Sequence, residues 1–278
     1  MLALLSAGTT IAGRLWLGIA AGVLVAAAAQ GAELPAPFEL RAEGSFPLQY
    51  VETATSKSSS HTLTPAPYLG LIATAHLQPD LTTAIFANGG HSQLGSFAEN
   101  DNTFVSAGAN LVKHWGAWRI GASFEHTHYF DGVFGDTTIV ANDVNVFASY
   151  LWQPNPGLRI RPSVTATMRL DETLAAQRYS YGGRIDIEQR LFGRWWFVAA
   201  SRLRFSDYVA GESGRRDTRF AVVSGLKYEI NESIGARLLA GYEDRTSNIA
   251  SRRADKFTIG ASVDFDIDFM RPRWPAGR

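Results

Sequence analysis

Residues 256–269 read KFTIGASVDFDIDF, with Phe257, Ile259, Ala261, Val263, Phe265, Ile267 and Phe269 on one parity and Lys256, Thr258, Gly260, Ser262, Asp264, Asp266 and Asp268 on the other. Side chains along a strand point alternately to opposite faces, so the segment reads as a strand with one greasy and one ionic face. Residues 157–170 repeat the split, setting Leu158, Ile160, Val164, Ala166, Met168 and Leu170 against Arg159, Arg161, Ser163, Thr165, Thr167 and Arg169. So do residues 177–191, with Tyr179, Tyr181, Ile185 and Ile187 against Arg178, Ser180, Arg184, Asp186, Glu188 and Arg190. From residue 67 onward such segments follow one another without a helical stretch, separated by Gly, Pro, Asn and Asp.

A soluble sandwich and a membrane barrel share this alternation, and the connections separate them. Short linkers near 78–80, 114–116, 153–156, 192–193 and 231–233 alternate strictly with longer ones near 89–102, 130–136, 171–176, 207–216 and 246–253. Tight turns at one rim and longer loops at the other are the meander of an up-and-down transmembrane barrel. Trp115, Trp118, Trp152, Phe192 and Trp195 gather beside the short turns, where an interfacial aromatic girdle is expected. Tyr129, Phe130, Tyr179, Phe205, Tyr208, Phe220 and Phe257 supply a candidate second girdle at the other strand ends. Eleven strands follow residue 67, and residues 46–55 supply a twelfth, with SKSSSHTLT as the first extracellular loop. An even total places both termini in the periplasm.

Residues 15–29, LWLGIAAGVLVAAAA, follow Arg14 and precede the small residues QGA, the layout of a secretory signal peptide cleaved between Ala29 and Glu33. The run is shorter than the roughly 20 residues that a spanning helix needs. The expected organisation is a signal peptide at 1–32, a periplasmic segment at 33–45, the barrel at 46–269 and a periplasmic tail at 270–278. Losing residues 1–32 removes only Arg14 from the balanced 26 basic and 26 acidic groups, leaving −1 and no overall attraction to nucleic acid. The absence of cysteine excludes disulfides, thiolate metal sites, a cysteine nucleophile and a lipoprotein anchor.

Over residues 46–269 the chain resembles bacterial outer-membrane β-barrel proteins as a class, porin-like in architecture. Thr258, Gly260, Val263 and Phe265 match the class's last-strand pattern, which resembles a polar residue, glycine, an apolar residue and an aromatic read by the barrel insertion machinery. The departure is the tail MRPRWPAGR after Phe269. The resemblance implies residence in the cell outer membrane among its lipids, with the insertion machinery as an assembly partner.

Projected inward, Arg159, Arg161 and Arg169, then Arg178, Arg184 and Arg190, then Arg202 and Arg204 make one wall basic. Asp143, Asp186, Glu188, Glu229, Glu243, Asp264, Asp266 and Asp268 oppose them. Twelve strands at a tilt of about 40° enclose a cylinder about 24 Å across, which long arginines narrow to a bore of about 8–10 Å. Guanidinium forks favour carboxylate and phosphate. The expectation is an anion-preferring diffusion channel for ions or small acidic solutes, with no cofactor and no catalytic or metal site. The architecture is similar to that of small channels for acidic oligosaccharides.

Two other readings stay open. One is a non-conducting structural or assembly barrel, because mixed arginine and carboxylate interiors also plug small barrels. The other is an outer-membrane lipid or lipopolysaccharide hydrolase, for which His126 with Ser106 or Ser123 is the available pair; parity sets those serines on the opposite face from the histidine. His126 and His128 lack a third zinc ligand in sequence. Asp264, Asp266 and Asp268 lie about 7 Å apart along a strand, too far to converge on one calcium.

Overall fold

The computed structural model describes residues 38–55, 59–92, 102–131, 137–171, 177–210 and 214–270. The alternating segments form fourteen strands: β1 (Phe38–Thr55), β2 (Ser59–Pro65), β3 (Tyr68–Gln78), β4 (Leu81–Ser92), β5 (Asn102–Trp115), β6 (Trp118–Asp131), β7 (Thr137–Tyr150), β8 (Trp152–Asn155), β9 (Leu158–Asp171), β10 (Arg178–Phe192), β11 (Trp195–Tyr208), β12 (Arg216–Glu229), β13 (Ile234–Ser247) and β14 (Ala254–Met270). Every pairing is antiparallel, and β14 returns to β1, so the sheet closes. Twelve staves make the wall. β2 continues the stave of β3, and β8 is a short strand folded onto β9 at a turn.

The rim that carries the two described chain ends also carries the tight turns, two of which are built on Gly116 at φ 57° and Gly193 at φ 52°. That backbone region favours glycine, so these turns reverse the chain in very few residues. Hydrogen-bonded partners on the inner face climb steadily around the wall. Glu39 pairs with Thr74, then through Ala84, Asn110, Ser123, Asn145, Thr167, Ser180, Ser206 and Asp217 the row reaches Ser247. It starts at the terminal rim and ends at the long-loop rim, which is the stagger that tilts barrel strands by roughly 35–45°.

The outer face is apolar. Leu48, Leu71, Leu111, Phe124, Val146, Val164, Ile185, Leu203, Val222, Leu238 and Ile259 all stand exposed on it. A water-facing surface of this kind would be strongly disfavoured, whereas acyl chains make it the preferred exterior. Near the short turns Trp118 packs on Tyr150 with ring centroids 5.0 Å apart, and Trp195 on Tyr228 at 4.9 Å, completing a girdle with exposed Trp115, Trp152 and Phe192.

The first stave differs from the sequence expectation. β1 begins at Phe38, so residues 38–45 of the expected periplasmic segment lie in the wall, paired with β3 from Phe38↔Ala75 to Ser45↔Tyr68. Alternation was already present in Phe38–Glu39–Leu40–Arg41–Ala42–Glu43, masked by the prolines on either side. β2 takes in residues 59–64 of the expected first loop and pairs with β1 from Leu48↔Pro65 to Ala54↔Ser59. Pro47 is accommodated at the change of partner. Its carbonyl accepts Ala66 N–H at 3.1 Å, so its missing N–H faces the break around Pro65–Pro67 instead of the β14 ladder. At the other end the wall runs one residue past 269, to Met270. The expected signal peptide and the remainder of the tail lie outside the described residues.

At the closing seam Phe265 of β14 lies over Gly44 of β1 and stacks on Phe46, centroids 6.1 Å apart. A Cβ on Gly44 would strike the Phe265 ring and come within 2.8 Å of the Tyr68 carbonyl oxygen. Gly44→Val is therefore expected to destabilise the barrel by about 1–3 kcal/mol, as overpacking does. The check is the temperature at which the compact gel band of the folded barrel converts to the unfolded band. Gly235→Ala, where the nearest atom is 3.5 Å away, should leave that temperature unchanged.

Candidate functional site: the barrel lumen

Register fixes the inward residues. Arg159, Arg161 and Arg169 on β9, Arg178, Arg184, Asp186, Glu188 and Arg190 on β10, and Arg202 and Arg204 on β11 share the lumen face, as the sequence alternation requires. Asp264 and Asp266 face inward on β14. The basic wall does not stop at β11. Arg219 on β12 and Arg237 and Arg245 on β13 continue it, with Arg215 just before β12. The odd parity shared by Asp217, Arg219, Ala221 and Val223 identifies the inner face of β12 in the same way, so the signal was present in the sequence.

The lumen is divided along its axis. Toward the terminal rim its charged side chains are solvated and pair locally. Arg159 lies 3.6 Å from Glu188, and Arg184 Nε donates to Asp186 Oδ1 at 2.8 Å. Arg237 Nε lies 3.0 Å from Asp264 Oδ2, and Arg41 reaches Asp266 at 3.4 Å. These pairs run along the wall between near neighbours, not across the bore. The Arg159 and Arg184 side chains keep 47% and 52% of their surface exposed. A cavity of about 870 Å³ opens at this rim, lined by Arg190, Arg194, Lys227, Arg237, Glu43, Glu229, Asp264 and Asp266 among others. At the same rim, Trp196 is buried beneath two guanidinium groups, Arg159 at 5.6 Å and Arg190 at 5.7 Å from the ring centroid.

Toward the long loops the interior is filled. Arg169 Nε donates to Asp143 Oδ1 at 2.7 Å, and its Nη2 contacts Asp143 Oδ2, with both side chains largely buried. Arg215 Nε donates to Asp217 Oδ1 at 2.9 Å, and the guanidinium lies 4.2 Å from the Tyr208 ring centroid. Arg178 flanks the same ring at 5.7 Å and is only 6% exposed. Tyr208 is thus turned into the lumen at 3% exposure, a correction to its expected place in the second girdle. Its even parity on β11 is that of Arg202 and Arg204. Tyr129 shares the inward parity of Glu125 and is corrected likewise. Tyr179, Phe220 and Phe257 do stand exposed on the outer face, and Phe205 stacks there on Tyr181.

Between these halves three arginines stand side by side. Arg204, Arg219 and Arg245 occupy directly paired positions on β11, β12 and β13. Residues opposed in this way have Cβ atoms about 5 Å apart, and like charges there are unfavourable. At an effective dielectric of about 20 the repulsion approaches 3 kcal/mol per pair if the charged heads sit as close as their roots. Arg184 and Arg202 are themselves paired one inward step toward the terminal rim.

His126 and His128 point outward on β6. Their Nε2 atoms are 2.8 Å apart, and His126 Nδ1 lies 2.8 Å from Asn142 Oδ1. Ser106 and Ser123 are on the inner face, so the wall separates them from His126 and no nucleophile–base pair forms. Among the described residues no group of three or more His, Cys, Asp or Glu could hold a metal. On β14, Thr258 and Gly260 face the lumen, while Val263 and Phe265 face outward.

No protein-family model and no curated protein matches the chain. Among solved structures the barrel is similar to an outer-membrane channel from Pseudomonas putida F1, with a TM-score of 0.55 and 12% identity over 86% of this chain and 98% of that one. It is similar also to a bacterial polysaccharide outer-membrane secretin, with a TM-score of 0.50 and 12% identity over 84% of this chain and 100% of the other. The fold is that of the bacterial outer-membrane β-barrels. With its apolar exterior and closed wall, this barrel is a protein of the outer membrane, surrounded by its lipids.

The buried Arg169–Asp143 pair gives a stability test. Asp143→Asn leaves a buried guanidinium without its carboxylate and is expected to destabilise by about 3–5 kcal/mol, whereas an Asp143→Leu, Arg169→Met double variant should recover most of the loss. Urea unfolding in micelles, followed by tryptophan fluorescence, measures both.

Proposed function

We propose that this barrel is a small, anion-preferring diffusion channel for ions or small acidic solutes. The observation that carries the reading is the run of inward arginines on five consecutive lumen-facing staves, β9 to β13, with Arg159, Arg161, Arg184 and Arg202 exposed to the lumen. A guanidinium cannot deprotonate at physiological pH and presents paired donors to carboxylate or phosphate. A wall of such groups raises the local concentration of anions and excludes cations. The similarity of fold to an outer-membrane channel agrees with this role.

Under the same reading residues 1–32 are the export signal, and Thr258, Gly260, Val263 and Phe265 are the signal that the barrel insertion machinery takes up. The non-conducting alternative is favoured by one observation, the Arg169–Asp143 and Arg215–Asp217–Tyr208 groups that fill the long-loop half.

Planar bilayers separate the two. The channel reading expects discrete conductance steps and, under a potassium chloride gradient, a reversal potential on the chloride side that moves toward zero in an Arg161→Gln, Arg184→Gln double variant. A silent trace from correctly folded protein would favour the structural barrel, and a cation preference indifferent to those substitutions would remove the anion reading.

A further inference from the structure

His126 and His128 stand two residues apart on the outer face of β6, across the wall from the lumen. Residues i and i+2 of a strand share a face, so both imidazoles can reach one point in front of the wall. Their Nε2 atoms are 2.8 Å apart and their rings are inclined at 73°. Asn142, paired with His126 from β7, places its Oδ1 2.8 Å from His126 Nδ1. A carbonyl oxygen only accepts, so His126 Nδ1 carries the ring proton and Nε2 presents its lone pair toward His128. Phe130 stacks on His128 at a centroid distance of 6.3 Å and steadies the second ring. All three polar side chains are half-buried, so they are reachable from outside the wall. Along β6 the histidines stand eight and ten residues beyond Trp118 of the short-turn girdle, a climb of about 20–25 Å at a strand tilt of about 40°. That height is the far boundary of an apolar band about 25 Å tall, where water and ions meet the wall.

We propose that His126 and His128 are the two protein ligands of a copper(II) site on the outer wall of the barrel. The site lies outside the lumen and does not depend on the channel reading. Nitrogens 2.8 Å apart subtend about 85–90° at a metal held about 2.0–2.1 Å from each. That is the angle between neighbouring positions around a tetragonal ion, whereas tetrahedral zinc needs the pair to stand about 3.3 Å apart. Imidazole suits copper, and among the divalent first-row metals copper(II) is bound most tightly by a given nitrogen site. Asn142 supplies the outer hydrogen bond that metal-binding histidines use, fixing the tautomer and orientation of one ring from behind. Without the ion His128 Nε2–H donates to His126 Nε2; with it, His128 carries its proton on Nδ1 and both Nε2 lone pairs face the copper. Among the described residues no third His, Cys, Asp or Glu joins the pair, so water fills the remaining positions around the ion.

Electron paramagnetic resonance of the full chain, folded in detergent and titrated with copper(II) at neutral pH, reads the site directly. One copper per chain is expected, with splitting from two imidazole nitrogens. Asn142→Leu keeps both ligands and is expected to weaken binding about tenfold. His126→Ala or His128→Ala should weaken it further and abolish the two-nitrogen splitting. His61→Ala removes an exposed histidine of β2 at the long-loop rim and should leave the signal unchanged. Equimolar zinc should not displace the copper. Heat-modifiable migration is checked for each variant, and if an alanine variant fails to fold, His126→Gln or His128→Gln keeps a polar side chain of similar length and should still abolish the splitting. No stoichiometric copper signal, a signal that survives in the His126→Ala, His128→Ala double variant, or an equal loss with His61→Ala overturns the site.

Discussion

Inside a bilayer no backbone N–H or C=O can be left facing acyl chains, and in this chain that requirement comes to rest on the pairing of β1 with β14. The seam runs from Leu40↔Met270 to Thr55↔Ala254, nearly the full length of both strands. Its other flank is less regular, because β1 pairs first with β3 and then with β2, with a break at Ala66–Pro67. Pro47 sits at that break, and its carbonyl still takes a bond from Ala66. Closure therefore survives three prolines near one junction because their missing donors fall where the ladder changes partner. Without closure there would be two exposed sheet edges and no distinction between a lipid face and a lumen face.

Once the wall closes, parity alone decides which side chains must be satisfied without bulk water. The chain meets that demand in two ways. Toward the terminal rim the carboxylates and guanidiniums pair with near neighbours and remain solvated, so each pair adds little stability. Toward the long loops Arg169 with Asp143 and Arg215 with Asp217 are buried, where losing one partner is far more damaging than losing both. Tyr208 joins the second group by lying between Arg178 and Arg215, where its ring face is attractive to both cations.

The alternation in 157–170, 177–191 and 256–269 is the alternation of faces that the strand register carries, because register follows from period two once one face must meet lipid. What periodicity could not show was where β1 starts. Pro35, Pro37 and Pro47 bracket a good strand pattern in Phe38–Glu43, and a proline's cost depends on which neighbour its nitrogen faces, a tertiary fact. Tyr208 and Tyr129 depart from the girdle for a different reason. Both lie near a strand end, where a girdle sits, yet their parity points inward. The axial division of the lumen was not legible at all. Arg159 and Arg169 occur on one strand with the same parity, and only the neighbouring staves bury one and leave the other solvated.

That division locates the discriminating part of the lumen. Charges in the wide terminal half are screened over about 8 Å at physiological ionic strength, and their local ion pairs weaken their field further. Charges in the filled half are screened much less, so the same guanidinium acts more strongly there on a passing ion. The positive charge at the edge of that filled half is the row Arg204, Arg219 and Arg245 on β11, β12 and β13. An anion entering from the wide mouth meets weak, mixed charge first and a concentrated basic layer at the narrowing. Selectivity then depends on the boundary between the two halves, and the many exposed charges near the mouth serve mainly to keep it hydrated and close to neutral.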